Sequence, residues 1–217
     1  MKIRSTEELQ AKLDQDFAWR RKELTTIFTN VKSSKLTQRN TNIRIGVVIL
    51  YAHWEGFIKN AAEYYLIYVS YKKLKFDQLS NNMIALSLKT KLIQFEQTNK
   101  NTVHTQLIDF LLGNLKIRAN IPTENVIKTQ SNLNSNILKE ILSILGIEYS
   151  QYELKEKYID AQLLNIRNSV AHGQDPDINE EDFYELYREI TTLMNSIKTD
   201  ISNNAALSKY LNSSVVT

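Results

Sequence analysis

Five glycines and two prolines punctuate a chain of 217 residues. Tight turns and sheet bends depend on those two residue types, so so sparse a supply favours long helices over a strand sandwich. The apolar periodicity agrees. Leu9, Leu13, Phe17, Leu24, Phe28 and Val31 recur at helical spacing after Ser5, and Ser5 with Glu8 reads as a capping box. A polar stretch over 32–41 is expected to break this helix. A second helix is expected over 42–72. Ile45, Val47, Val48, Ile49 and Leu50 leave it no polar face at that point, which places it centrally.

The middle of the chain is less regular. Residues 83–95 and 103–112 read as two shorter helices, and 115–136, with Pro122 and many Asn, Thr and Ser residues, as a flexible loop. A short helix over 137–145 ends at Gly146. Ser150 and Glu153 form a second capping-box pattern, opening a helix with Ile159, Leu163, Ile166 and Val170 on one stripe. Gly173 and Pro176 stop it. Asn179 then caps a last helix with Phe183, Leu186, Ile190, Leu193, Ile197 and Ile201 turned inward, and 203–217 read as a frayed tail. The expected architecture is one all-α domain over 1–217, an antiparallel helical bundle with extra helices in its middle.

The chain has no cysteine, which excludes disulfides and thiolate metal sites and makes a reducing, cytoplasmic location the expectation. Residues 1–20 carry charges throughout, without the apolar core of a secretory signal. The longest apolar run, 45–52, is too short to span a bilayer, so no membrane association is expected. Net charge is only +3, but it is unevenly spread. Arg20, Arg21, Lys22, Lys32, Lys35, Arg39 and Arg44 make the first fifth basic, and Lys72, Lys73 and Lys75 form a second cluster. Each cluster also fits a solvated helix face.

Residues 167–173 read Arg-Asn-Ser-Val-Ala-His-Gly, at the end of the 150–172 helix. Arginine presents a permanently charged fork of donors that matches phosphate oxygens. Histidine exchanges a proton near neutral pH. Together they suit cleavage of a phosphodiester without a metal. The same spacing fits an ordinary helix end, with a cation in the last turn and a glycine cap. At 100° per residue, Arg167 lies beside the core stripe and His172 points 140° away. The two could converge if the helix loosens before Gly173, or if two copies of it pair. No cluster of carboxylates with metal-ligand spacing lies near the motif, and no glycine-rich phosphate loop exists, so neither metal nor cofactor is expected. Ser169 lacks the strand and the Gly-x-Ser-x-Gly turn of a serine nucleophile.

A second stretch runs Tyr51-Ala-His-Trp-Glu-Gly-Phe-Ile-Lys59, with Trp19-Arg-Arg-Lys-Glu-Leu24 upstream. Within it, Glu55 and Lys59 are spaced as a helical surface pair. His53 or Glu55 is a candidate to support Arg167 or His172 from behind, since polar groups on a buried helix need partners. His104, amid Val103, Leu107 and Ile108, reads as structural or surface.

With both stretches in view, the chain resembles the HEPN superfamily (higher eukaryotes and prokaryotes nucleotide-binding). Arg167-Asn168-x-x-x-His172 on the penultimate helix of an all-α domain matches its hallmark. The Tyr51–Lys59 and Trp19–Leu24 stretches are similar to its bacterial MAE-type or RiboL-PSP branch. The resemblance touches both ends of the chain and leaves 74–150 unmatched. It implies a metal-independent endoribonuclease of toxin–antitoxin or anti-phage defence type, acting on RNA as a homodimer. A further protein, such as an antitoxin, is an expected partner. His172 would move the proton, Arg167 would hold the scissile phosphate, and Asn168 would orient the motif or contact the phosphate. Cleavage would leave a 2′,3′-cyclic phosphate and a 5′-OH. Lys59, Arg20 and Arg21 are candidates for RNA contact. Two other readings stay open: a catalytically silent HEPN module that binds RNA or a nucleotide, and an unrelated helical scaffold.

Overall fold

The computed structural model describes residues 1–113 and 115–213, and within them the chain is all α, with seven α-helices and no strand beyond two isolated bridges. In chain order these are α1 (Thr6–Lys32), α2 (Leu36–Tyr71), α3 (Asn81–Glu96), α4 (Asn101–Gly113), α5 (Ser135–Leu145), α6 (Asn165–Ala171) and α7 (Glu180–Ala206).

Helices α1, α2 and α7 form the frame, each packed against the other two. α1 starts as read from the sequence. The Ser5 hydroxyl accepts the Glu8 N–H at 3.2 Å, while the Glu8 carboxylate accepts the N–H of Arg4 at 2.6 Å. α2 begins at Leu36, six residues earlier than expected. Polar residues 36–41 therefore extend the helix instead of breaking it. Arg39 makes this possible, bonding Glu180 at 2.5 Å and the Ser34 carbonyl at 3.1 Å. Only Ser33–Lys35 separate α1 from α2, so the two must run antiparallel. Lys198, late in α7, meets Asp14, early in α1, so that pair is antiparallel too. α2 and α7 run parallel, with Gly46 near the start of one against Phe183 near the start of the other. A Cβ on Gly46 would stand 2.8 Å from the Phe183 ring, so this close approach requires glycine.

The core is one cluster, with Trp54, Tyr51, Tyr65 and Phe57 of α2 almost fully enclosed. α7 keeps its predicted stripe: Asn179 and Asp182 cap each other's backbone, and Phe183, Leu186, Ile190, Leu193, Ile197 and Ile201 are buried. α3 and α4 match the two expected middle helices, and His104, in the first turn of α4, reaches back to the connection between them, its Nε2 lying 2.8 Å from the Thr98 carbonyl. Residues 115–134 contain no helix. They are nevertheless fastened, because Ala119, Ile121, Ile127 and Leu133 are buried and Leu133 donates its N–H to the Tyr51 hydroxyl at 2.7 Å. The end of the chain is also anchored. α7 continues to Ala206, Tyr210 is buried, and its carbonyl accepts the Ser80 N–H at 2.9 Å. Residues 214–217 of the expected tail lie outside the described residues.

The segment leading to the motif departs most from expectation. Ser150 caps nothing; Ser150–Lys155 are 3-10 turns, and Tyr158–Leu164 are a π-helix in which the Asn165 N–H reaches back to the Asp160 carbonyl. Three tyrosine and glutamine anchors override the local capping pattern: Tyr152 and Gln151 bond Asp200, and Tyr158 bonds Glu185. A π turn holds one residue more than an α turn. Counting 100° per residue across it therefore misplaces everything beyond by about 100°. This explains why Ile159 and Leu163 are fully buried whereas Ile166 and Val170, on the same predicted stripe, are only half-buried.

Candidate active site around Arg167 and His172

α6 follows the wide turns directly and buries none of its residues completely. His172 is its C-terminal cap and is exposed. The chain then turns at Gly173, whose φ of 74° is the left-handed conformation that closes a helix, and Gln174 donates its N–H back to the Ser169 carbonyl at 2.9 Å. The loop beyond is tied to the start of α2 by Arg44, which bonds Asp175 at 2.5 Å.

Arg167 is held from two sides. Its guanidinium carbon lies 4.3 Å from the centre of the Tyr51 ring, and its Nη1 donates to Asn168 Oδ1 at 2.7 Å. Tyr51 is itself fixed by the Leu133 N–H on its hydroxyl. Burial, helped by the nearby Glu55 carboxylate, pushes the Tyr51 phenol up to about 12, so it stays neutral at physiological pH. Asn168 thus orients Arg167, and the platform beneath it is an α2 residue 116 positions earlier in sequence. Sequence reasoning quoted Tyr51 only as part of a stretch and assigned it no role. The available signal was its position one helical turn before Glu55, on a helix that must face the motif.

Glu55 shares the Tyr51 face of α2, four residues on, and its Oε1 is buried without a hydrogen-bond partner. His53 is turned the other way, 200° from Tyr51 around the helix. It faces α1, with Nε2 3.1 Å from Glu23 and its ring edge-on to Trp19. Of the two supporting candidates, the structure therefore brings Glu55 to the Arg167 side and takes His53 away from it.

The RNA-contact candidates separate as well. Arg20, a candidate for RNA contact, is buried, its Nε on Asp16 at 3.2 Å and its Nη1 3.4 Å from the His53 carbonyl. Arg21 and Lys59 are exposed. Among the described residues no ion pair joins Lys59 to Glu55. Lys59 instead acts on Glu63, whose carboxyl burial raises and Lys59 lowers. Among the described residues no three His, Cys, Asp or Glu side chains are grouped as a metal site needs, and no helix is long and apolar enough to cross a membrane.

On a regular helix, residues five apart such as Arg167 and His172 point 140° apart and lie about 7.5 Å apart along the axis, an arrangement that does not by itself bring both to one phosphate. An all-α bundle that carries Arg-Asn-x-x-x-His at the free end of a half-exposed helix has the make-up of a HEPN domain. The family model RiboL-PSP-HEPN matches residues 15–203, and the chain belongs to that family. HEPN domains are often ribonucleases. No curated protein and no solved structure matches the chain.

Proposed function

We propose that this chain is a metal-independent endoribonuclease of toxin–antitoxin or anti-phage defence type, working as a homodimer with α6 at the two-fold axis. The observation that carries the reading is the arrangement of α6: Arg167 is pre-oriented by Tyr51 and Asn168, while His172 is exposed beside it. A pre-oriented guanidinium suits charge developing on phosphate oxygens, because no reorganisation is needed as the charge grows. The half-buried Ile166 and Val170 supply apolar surface for pairing two copies. Pairing collects two arginines and two histidines in one cleft, which offsets their divergence within a chain.

In the reaction, the RNA's 2′-oxygen attacks the adjacent phosphorus and the bond from phosphorus to the 5′-oxygen breaks. One histidine accepts the 2′-OH proton or protonates the leaving 5′-oxygen. The products are a 2′,3′-cyclic phosphate and a 5′-OH. Arg167 holds the phosphate and Asn168 holds Arg167.

Purified protein incubated with total cellular RNA in EDTA tests this directly, beside His172→Ala. Cleavage by wild type alone, leaving cyclic-phosphate ends, is expected. RNA binding without cleavage by either protein would replace this reading with that of a catalytically silent RNA-binding HEPN module.

A further inference from the structure

The basic cluster at the end of α2 does not stand alone. The chain segments 74–77 and 115–119 pair backbone to backbone: Phe76 N–H to the Ile117 carbonyl at 3.2 Å, Asp77 N–H to Leu115 at 2.9 Å, and Ala119 N–H to Leu74 at 2.9 Å. An antiparallel bridge joins Lys75 to Arg118. This short ribbon sets Lys73, Lys75, Lys116 and Arg118 side by side, although the two segments are some forty residues apart in sequence. All four are exposed, and among the described residues none has a carboxylate within ion-pair distance. Lys72 is excluded from the group, since its Nζ lies over the Tyr68 ring and bonds the Arg4 carbonyl.

Beside the ribbon lies a surface cavity of about 720 Å³, lined by Glu63, Tyr71, Lys73, Arg118, Asn120 and Glu124 among others. Its size is that of small-ligand sites. Tyr71, with the Arg4 guanidinium carbon over one side of its ring at 5.8 Å from the centre, brings to the lining an aromatic ring on which a base can stack. Glu63 and Glu124 repel a phosphate but accept from base amino groups, as carboxylates do from cytosine. Lys73 adds an independent sign. Its φ is 55°, at the position just past a helix end where glycine is the usual occupant. A lysine there keeps backbone strain that a glycine would relieve, and such strain gathers at functional positions.

We infer that this ribbon and cavity bind a single-stranded segment of RNA, the ribbon taking phosphates and the cavity a base, at a distance from the reacting bond. The inference rests on the reading of RNA as the substrate. Tyr51 and Tyr71 are twenty residues apart on one continuous helix, which is about 30 Å. That is several Debye lengths at physiological salt, so the ribbon cannot act on the Arg167 region through solution. Only a strand long enough to touch both, about nine nucleotides at 3.4 Å each, connects them.

The test is fluorescence-anisotropy binding of a labelled single strand of about twenty nucleotides (more than twice the span needed) over a salt series. It uses the full chain in a His172→Ala background, with and without Lys73→Gly and Arg118→Gln. The double variant is expected to bind at least tenfold more weakly, with the log–log salt slope shallower by about 1.4, or 0.7 per lost phosphate contact. Lys73→Gly should at the same time melt no lower than its parent, because it removes strain; a merely structural lysine would not weaken binding. Unchanged affinity and slope in the double variant overturn the inference. If the wild type binds through Lys73 and Arg118 yet cuts no RNA, the ribbon stands and the nuclease reading falls. If it cuts long RNA equally well with both residues replaced, the nuclease stands and the ribbon falls.

Discussion

The guanidinium of Arg167 rests 4.3 Å from the centre of the Tyr51 ring, and the hydroxyl of that ring accepts the Leu133 N–H at 2.7 Å. One aromatic residue therefore positions Arg167 with its face and fastens the irregular 115–134 segment with its edge. Its two duties can be separated. Tyr51→Phe keeps the face and leaves a buried N–H unpaired, so stability should fall by about 1–3 kcal/mol with RNA cleavage largely retained. Tyr51→Leu loses the face as well, and kcat/KM should drop a further tenfold or so, the loss of a cation–π contact of roughly 1–2 kcal/mol. Thermal melts and cleavage rates for the pair check this, and equal rates in the two variants would deny Tyr51 its positioning role.

Activity should depend on association. Specific activity per chain is expected to fall as the protein is diluted through the dissociation range of its dimer, and to vanish in the monomer. Sedimentation and cleavage rates measured on the same dilution series decide it: full activity in a demonstrated monomer would sink the two-fold site.

Arg20 and Arg21 are adjacent and chemically identical, yet their replacements should differ sharply. Arg20→Ala leaves Asp16, whose side chain is only 7% exposed, with hydrogen bonds from Trp19 and Asn60 but no cation, and breaking a buried pair costs about 3 kcal/mol or more. Arg21→Ala alters an exposed side chain and should change stability by less than about 0.5 kcal/mol. Gly56 bears on the same cluster, since a Cβ there would stand 2.8 Å from Arg20 Nη1. Gly56→Ala should therefore destabilise, despite a helix propensity about 1 kcal/mol better than glycine's. Urea titrations of the three variants measure all of this.

The fold should also weaken in mild acid through His53. Its burial, aided by the Arg20 charge, lowers its pKa below the ordinary 6.5, against the opposing pull of Glu23 and Asp16. Between the lowered and the ordinary value the unfolded chain binds more protons than the folded one. The contribution of His53 is thus fully present above about pH 6.5 and is lost as the pH falls below it. Melting temperature followed from mildly alkaline to mildly acid pH should decline less steeply in His53→Gln than in wild type; parallel curves would show that His53 does not drive the decline.

The sequence disclosed those features that local chemistry decides. Ser5 and Asn179 mark true helix starts because a capping side chain acts on backbone three residues away. Arg167, Asn168 and His172 were legible as a motif for the same reason of proximity. Leu36–Thr41 were not, since a solvated helix end and a solvated loop share one composition, and only the distant Glu180 resolves them. Ser150 misled because partners on α7, Asp200 and Glu185, outweigh a cap. Tyr51 escaped notice because its contact with Arg167 crosses 116 residues, a span that no periodicity reports.

The π-helical stretch Tyr158–Leu164 has one further consequence. A single extra residue is spread over its wide coils, so the stretch acts as a slip joint between the anchored core and the helix that carries Arg167. Removing one residue there should tighten the coils to ordinary α-helix and leave both ends facing as before, whereas the same deletion inside α6 would swing His172 by about 100°. The aim of Arg167 and His172 is thus set by the few residues after the joint, and the bundle behind it can vary in length without turning them aside.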